Sequence, residues 1–236
     1  FQPAEEGGGG AREMIKDGIF DKFPMEAVFG AHNWPGMPVG SFGVKPGPMM
    51  ASSNEFSITV RGKGSHAALP HMGTDPVPIA AQLVMALQTI ITRNRNPVDP
   101  GVISVTMLNA GEAINVVPDT AQLRGTVRTF SLETLDLIER RMQEVAEGLC
   151  ASFGASCEFH FRRNYPPTIN HPAETAFVQR VLGDIVGAAN VQPFEPTMGA
   201  EDFSFFLQEK PGCYFMIGNG DGTHRIGGHG LGPCTL

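Results

Sequence analysis

The 236-residue chain carries 17 basic and 24 acidic side chains, a net charge of −7 with neutral histidines, and 42% hydrophobic residues. This is the composition of a soluble globular protein with room for two domains, and without a long basic face it argues against a nucleic-acid partner. The longest apolar stretch, residues 77–91, is interrupted by Gln82 and Gln88, so no membrane-spanning segment is predicted. Four cysteines without a CxxC pair are typical of a reducing cytoplasm.

An α/β unit is predicted at the start of the chain. Residues 1–4 predict a buried strand, the glycines at 7–10 predict a turn, and apolar residues at helical spacing over 11–19 predict a helix. A second short strand is expected at residues 27–34, AVFGAHNW, where an apolar run meets a Pro-Gly-Met-Pro turn. Strand, turn and helix in this order are typical of an α/β domain.

The middle of the chain has a different pattern, with predicted elements in the order β-α-β-β-α-β. The predicted strands are 54–64, 102–111, 120–130 and 156–165, and the predicted helices are 75–93 and 132–149. This order is that of a ferredoxin-like unit, a four-stranded antiparallel sheet with both helices on one face.

The α/β pattern resumes in the last third of the chain. A helix is predicted over residues 173–187, ending at a glycine, and an apolar strand begins at residue 213. The simplest organisation is one α/β domain made of residues 1–51 and 166–236, interrupted by an inserted ferredoxin-like domain over residues 52–165.

Two adjacent acids, Glu5 and Glu6, precede the four glycines. At the carboxyl end of a strand, where open α/β sheets bind ligands, a bend between them would turn both carboxylates to one crevice. One carboxylate would then bind a metal while the other takes a proton from water. A solvated turn explains the acids equally well, but the glycines favour a site because bulky side chains there would block close approach.

Two histidines also lie in contexts that suit a site. His32 ends an apolar strand in GAHNWPGMPVG, and His66 follows two glycines in RGKGSHAALPHMG. A lone histidine is more often an ordinary core or surface residue. A histidine on a glycine-lined loop of a separate domain could nevertheless reach into a cleft and donate to an oxyanion.

A second acidic pair, Glu201-Asp202 in MGAEDF, precedes an apolar stretch. Buried carboxylates need partners, so this pair either supports a metal centre or caps the N-terminus of a helix, and we favour metal support. No Gly-x-Ser-x-Gly string and no suitable cysteine appears in the sequence, which argues against covalent catalysis.

Seven strings along the chain resemble the family of hippurate hydrolases and N-acyl-amino-acid amidohydrolases. They are FQPAEEGGGGA, GAHNWPGMPVG, GKGSHAALPHMGTDP, INVVPD, RGTVRTF, NYPPTIN and MGAEDF, in the order and at the spacing of that family. The resemblance implies a zinc-peptidase-like α/β catalytic domain with an inserted ferredoxin-like (βαββαβ) lid. The pattern of predicted elements leads to the same organisation independently.

The resemblance also implies roles on the metal side of the site. Glu5 would be the general base that acts on metal-activated water, and Glu6 and His32 would be metal ligands. Glu201 would lie near the metal centre as support. The implied cofactors are divalent metal ions, zinc or manganese, two per site in the complete enzyme.

On the substrate side, the resemblance implies three residues of the lid. His66 would hold the substrate carbonyl or the developing oxyanion. Asn115 and Arg128 would bind the acyl or carboxylate end, and the planar fork of an arginine suits a carboxylate. The implied partners are a small N-acyl amino acid, such as benzoylglycine, and a second copy of the chain paired through the lid domain, without nucleic acid or membrane.

Two ligand motifs of the resembled family, an upstream His-x-Cys-Gly-His-Asp and a downstream His-Asn-Pro, do not occur in this sequence. Because catalytic metal sites normally take three protein ligands, the chain is expected to be a portion of the enzyme and to be inactive alone. A dipeptidase and an N-carbamoyl-amino-acid hydrolase are alternatives within the same architecture. A non-catalytic binding or dimerisation module is the alternative from another class.

Overall fold

The computed structural model describes residues 2–220, apart from the side chain of Glu6. The chain forms two compact units: a first unit of residues 1–52 with 165–236, and a second unit of residues 53–164. Among the described residues, no helix combines the length and the apolar character that crossing a membrane requires.

The helices and strands are numbered in chain order. The α-helices are α1 (Glu5–Gly8), α2 (Gly10–Lys16), α3 (Ile19–Lys22), α4 (Pro76–Thr89), α5 (Leu132–Ser152), α6 (Pro172–Val186) and α7 (Ser204–Glu209). The strands are β1 (Val28–Trp34), β2 (Phe42–Gly43), β3 (Gly47–Met50), β4 (Ser53–Arg61), β5 (Ser65–His66), β6 (Gly101–Ala110), β7 (Val116–Val117), β8 (Thr120–Thr129), β9 (Ser156–Tyr165), β10 (Thr168–Asn170), β11 (Val191–Gln192) and β12 (Gly212–Gly218).

The first unit is built on a mixed sheet with the strand order β1-β12-β2-β11. β1 runs parallel to β12, β12 antiparallel to β2, and β2 parallel to β11. Its main core packs apolar side chains of β1, β3, α7 and β12 together with Ala11 of α2. The predicted α/β class is confirmed by this combination of a mixed sheet with helices.

The strand predicted for the start of the chain is wrong over the described residues. Residues 2–4 form no strand, and the helical turn α1 begins at Glu5. Pro3 has no N–H to donate to a neighbouring strand, and Ala4 adopts a left-handed conformation with φ of 52°. These two residues turn the backbone directly into α1.

The second unit contains a four-stranded sheet with the order β6-β8-β4-β9. β8 is antiparallel to both β4 and β6. Side chains of β4 alternate between buried and more exposed, as expected for a sheet covered on one face. Leu83 and Leu87 of α4 and Ile138 and Met142 of α5 join the buried face of this sheet in one core, so both helices cover the same face.

Local sequence signals account for the ends of these two helices. Asp75 accepts a hydrogen bond from the Val77 N–H, and Ser131 accepts one from the Thr134 N–H, which caps the N-termini of α4 and α5. α4 continues as a single π-helical turn, Ile90–Asn94, before the chain enters β6.

Candidate functional site

A cavity of about 610 Å³ lies within the first unit. Three of the predicted site residues line it: Glu5, His32 and Glu201. The polar side chains of Gln2 and Tyr214 line it as well, and the remaining wall is mostly apolar, with residues of α2, α3, β1 and α7. The structure therefore brings residues 5, 32 and 201 to one concave surface, although up to 196 positions separate them along the chain.

Glu5 begins α1, and the glycines that follow determine the course of the backbone there. Gly9 has φ of 61°, in the left-handed region that favours glycine, and it separates α1 from α2. A Cβ atom on Gly10 would lie 1.7 Å from the carbonyl oxygen of Pro3. The glycine run thus allows the chain before Glu5 and the start of α2 to pack directly against each other.

Tyr165 holds the same turn through its phenolic oxygen. The hydroxyl donates to the Glu5 carbonyl oxygen at 2.6 Å and accepts from the Gly7 N–H at 3.0 Å. The ring lies edge-on to Phe205, with 6.1 Å between centroids. Tyr165 is not among the predicted site residues, although it lies in NYPPTIN, one of the strings that carry the resemblance.

His32 lies in β1, opposite Met216 of the parallel strand β12, and its side chain is exposed. Its Nδ1 is 2.6 Å from the carbonyl oxygen of Asn33. A carbonyl only accepts, so Nδ1 carries a proton in this contact, and in the neutral ring Nε2 keeps its lone pair. An imidazole oriented in this way by a backbone carbonyl is the usual form of a metal-binding histidine.

Glu201 and Asp202 are buried, with 3% and 0% of their surface exposed. Glu201 accepts from the Tyr214 hydroxyl at 2.5 Å, from the Phe203 N–H at 3.1 Å and from the Gln2 amide at 3.3 Å. These contacts occupy both of its carboxylate oxygens, so protein donors supply the partners that a buried carboxylate needs.

Asp202 also has both oxygens in hydrogen bonds. Oδ2 accepts from the Ala11 N–H at 2.9 Å, and Oδ1 accepts from the Gln2 amide. Burial raises the pKa of Asp202 to about 6, while the Ala11 N–H opposes that shift. Burial, together with the neighbouring Glu201, also raises the pKa of the Tyr214 hydroxyl. The Asp202 carboxylate accepts a hydrogen bond from the first turn of α2. Of the two roles expected for this acidic pair, metal support and helix capping, this contact corresponds to capping.

The second unit contains the predicted substrate residues. His66 of β5 pairs with Val116 of β7, and the Ala67 N–H donates to the Asn115 carbonyl oxygen at 3.0 Å, so His66 and Asn115 are brought together. Nδ1 of His66 accepts from the Ala68 N–H at 3.1 Å. A neutral ring that accepts at Nδ1 carries its proton on Nε2, which makes Nε2 a donor.

Arg128 lies on another ladder, in β8 opposite Val102. Its guanidinium donates to the carbonyl oxygens of Asn54 and Val127, at 3.4 and 3.2 Å. Partial burial lowers its pKa, and the charge of Glu55 opposes that shift. These two hydrogen bonds hold the guanidinium at backbone carbonyl oxygens of β4 and β8.

The metal-ligand prediction for Glu6 lies outside the described residues, since its side chain is not described. Within the part of the chain that the structure describes, no group of three or more His, Cys, Asp or Glu side chains is arranged to hold a metal ion. Glu5 and His32 nevertheless supply a carboxylate and an imidazole at one cavity, and these donor types suit zinc and manganese.

The sequence profile of peptidase family M20/M25/M40 matches residues 1–229. The chain belongs to this family. Among M20 relatives, it is 41% identical over 226 residues to the N-acetyl-L-cysteine deacetylase of Bacillus subtilis, covering 95% of this chain and 53% of that protein. It is 39% identical over 223 residues to the hippurate hydrolase of Campylobacter jejuni, covering 93% and 57%.

Solved structures of the M20 family agree with this assignment. The crystal structure of the Bacillus subtilis YXEP protein, described as a dinuclear metal binding peptidase of the M20 family, aligns with a TM-score of 0.77 at 34% identity. The alignment covers 92% of this chain and 54% of that protein. The chain thus spans about half the length of the M20 proteins it matches. The predicted resemblance to hippurate hydrolases and related amidohydrolases is confirmed.

Proposed function

We propose that the protein is a metal-dependent amidohydrolase that cleaves the amide bond of N-acyl amino acids of the hippurate type. The observation that carries the proposal is the shared cavity of Glu5 and His32 in a chain of the M20 family. Relatives named as a hippurate hydrolase, an N-acetyl-L-cysteine deacetylase and an N-acetyldiaminopimelate deacetylase support this substrate class. Hydrolysis would give the free acid and the amino acid.

In this reaction Glu5 is the general base. Its carboxylate takes a proton from the water that attacks the amide carbonyl, and it returns a proton to the amine as the carbon–nitrogen bond breaks. His32, with Nε2 available, and Glu6 would hold the metal. Bound divalent ions, two of zinc or manganese, lower the pKa of water and polarise the carbonyl. Glu201 remains a predicted supporting residue.

We propose that the second unit is a ferredoxin-like lid that binds the substrate. The Nε2–H of His66 is a suitable donor to the oxygen of a polarised carbonyl. The exposed Asn115 beside it adds an amide, and the guanidinium of Arg128 matches the substrate carboxylate. The cytoplasmic location stays a prediction.

We further propose a homodimer formed through the second unit, along the free edge of β6. This strand has ten residues without a charged side chain or a proline, whereas β9 at the other edge carries Glu158, Arg162 and Arg163. An uncharged edge strand lacks the features that prevent edge-to-edge pairing. The segment after it exposes further apolar side chains, Ile114 and Val116.

Sedimentation equilibrium tests the dimer. Leu108→Lys would place an ammonium on the exposed part of the β6 edge, and the expected result is a monomer. Met85→Lys is the matched control, because Met85 is an exposed apolar residue of α4 and not of the edge strand, and this variant should remain a dimer. A monomeric wild type, or a dimeric Leu108→Lys variant, would overturn this assignment.

The substrate assay separates the proposed activity from its alternatives. Benzoylglycine and N-acetylcysteine are compared with dipeptides and N-carbamoyl amino acids, with zinc or manganese added to a protein that contains all family ligand motifs. Higher kcat/KM on the N-acyl amino acids supports the proposal, whereas preference for dipeptides or carbamoyl amino acids favours the corresponding alternative. A stable dimer with no metal uptake and no turnover would favour a binding module. The 236-residue chain alone is expected to show little turnover.

A further inference from the structure

The segment that carries Glu5 is held at three points by two residues far away in the sequence. We infer that Asp202 and Tyr165 are positioning residues for Glu5, keeping its turn in the conformation that the general base requires. This inference rests on the proposed function, since positioning matters only if Glu5 acts as the base.

Asp202 holds the two ends of the segment with one carboxylate. Oδ1 accepts from the side chain of Gln2, on the N-terminal side of Glu5, and Oδ2 accepts from the Ala11 N–H, on the C-terminal side. The carboxylate is fully buried, and hydrogen bonds are stronger in the low dielectric of the interior. Asp202 thereby fixes the spacing between the two ends of the glycine-rich turn.

Tyr165 holds the middle of the segment. Its hydroxyl accepts from the Gly7 N–H and donates to the Glu5 carbonyl oxygen, so it fixes the peptide groups on both sides of Glu6. Its ring is itself held against Phe205. A run of glycines has more backbone conformations to lose than any other sequence, which is why an external support is needed here.

The hydrogen bonds of Tyr165 and Asp202 favour a role in positioning Glu5 over a direct role in the reaction. Tyr165 and Asp202 bond to the backbone of the segment and to Gln2, and no described hydrogen bond joins either of them to the Glu5 carboxylate. Loss of either support should therefore lower kcat, because fewer molecules hold Glu5 in place at any moment, and should leave KM nearly unchanged.

The first test is Tyr165→Phe, which keeps the ring and removes only the hydroxyl. In the complete, metal-loaded enzyme the expected result is a kcat about tenfold lower with KM within twofold of wild type, a split typical of a lost positioning contact. Amide hydrogen exchange at Gly7 should become at least tenfold faster. Tyr214→Phe is the matched control for exchange, because it removes a hydroxyl that bonds to Glu201 and not to the turn. The Gly7 exchange rate should be unchanged in that control.

The second test is Asp202→Asn, which keeps the size of the side chain. Its single amide oxygen replaces only one of the two carboxylate oxygens that accept from the Gln2 amide and the Ala11 N–H. Rotating the Gln2 amide would not restore the lost bond, because its nitrogen also donates to Glu201.

For Asp202→Asn we expect kcat to fall about tenfold with KM within twofold of wild type, and Gly7 amide exchange to become faster. Asp184→Asn, at an exposed position of α6, is the matched control. Wild-type kcat and wild-type Gly7 exchange in Asp202→Asn would overturn the role of Asp202.

Failure of this inference can be told apart from failure of the proposed function. If Glu5→Gln is as active as wild type, the proposed function fails, and the inference fails with it. If Glu5→Gln is inactive while Tyr165→Phe keeps both wild-type kcat and wild-type Gly7 exchange, only the inference is overturned. A fall in kcat matched by an equal rise in KM would also overturn it, since substrate binding would then be the property lost.

Discussion

Glu5 and the acidic pair Glu201-Asp202 differ in burial within the first unit. Glu5, of the first pair, is half-buried and lines the cavity beside His32. Glu201 and Asp202, the second pair, are buried, and their four carboxylate oxygens accept hydrogen bonds from the protein. The described carboxylates of these two similar doublets therefore differ in burial.

Burial and hydrogen bonding help to distinguish a carboxylate that stabilises the fold from a candidate general base. A buried carboxylate whose two oxygens accept N–H and O–H hydrogen bonds from the protein joins the segments that carry those donors. Its contribution is the cohesion of the segments it joins, here the start of the chain, α2 and β12. Glu5, which is less buried, lines the cavity with His32 and is the base of the proposed reaction.

The largest expected effect on stability comes from removing the buried support. Asp202→Ala leaves the Ala11 N–H without its acceptor and removes one of the two carboxylates to which the Gln2 amide donates. Hydrogen bonds to a charged group each contribute about 1.5–3 kcal/mol. We expect a loss of about 3 kcal/mol in the free energy of unfolding at pH 7. Urea unfolding followed by fluorescence of Trp34, the single tryptophan, reports on the first unit. The control Asp184→Ala, at an exposed position of α6, should change stability by less than about 0.5 kcal/mol.

A smaller effect is expected from the glycine turn. In Gly10→Ala the new methyl group would overlap the Pro3 carbonyl oxygen, a backbone atom that can move only by shifting the turn. We expect about 2 kcal/mol of destabilisation. Gly148→Ala is the matched control in α5, because a Cβ there meets no atom within 4 Å, and it should stabilise by roughly 0.5–1 kcal/mol. A stable Gly10→Ala variant would contradict the close packing of the turn.

A further expected effect is a pH dependence of stability of about 3 kcal/mol that comes from Asp202. Its pKa is about 6 in the folded protein, against 3.8 as the ordinary value for an aspartate. Between these values the folded protein binds the proton more strongly than the unfolded chain. The stabilisation that comes from the bound proton of Asp202 is therefore complete below about pH 4 and is lost as the pH rises through 6, with a slope of at most about 1.4 kcal/mol per pH unit. The hydrogen bonds of the ionised carboxylate remain above pH 6.

The pH prediction is measured as the difference between two proteins. Urea unfolding at several pH values is compared for the wild type and Asp202→Asn, which removes the titrating group and keeps its size. We expect the stability of the wild type to fall relative to the variant between pH 4 and 6. If the free energies of unfolding of the two proteins change in parallel over this pH range, the folded environment does not favour the protonated form of Asp202.

Much of the fold could be predicted because its signals are local. The alternation in β4 and the spacing of apolar residues in α4 and α5 come from one buried face, so each is visible within a dozen residues. The strand predicted for residues 1–4 was wrong for a reason that is also local. Pro3 and the left-handed Ala4 end any extended conformation, and an apolar composition does not reveal that.

The candidate site was predictable only in part. The glycines after Glu5 and the proline turn after His32 are local signals of a special backbone, and both residues lie at the cavity. The residues that hold the turn lie far from it in the sequence. Asp202 and Tyr165 lie about 150 to 200 positions from the atoms they hold, and a single sequence contains no signal for such pairs.

The proposal that Glu5 is the general base is tested most directly by the steady-state kinetics of Glu5→Gln in the complete, metal-loaded enzyme. The substitution keeps the size of the side chain and removes its ability to take a proton. With benzoylglycine as substrate, we expect kcat to fall by about 10²–10⁴-fold while KM and metal content stay near wild type. Glu13→Gln, at an exposed glutamate paired with Lys16, is the control and should retain wild-type activity. A Glu5→Gln enzyme with kcat within tenfold of wild type would contradict this account.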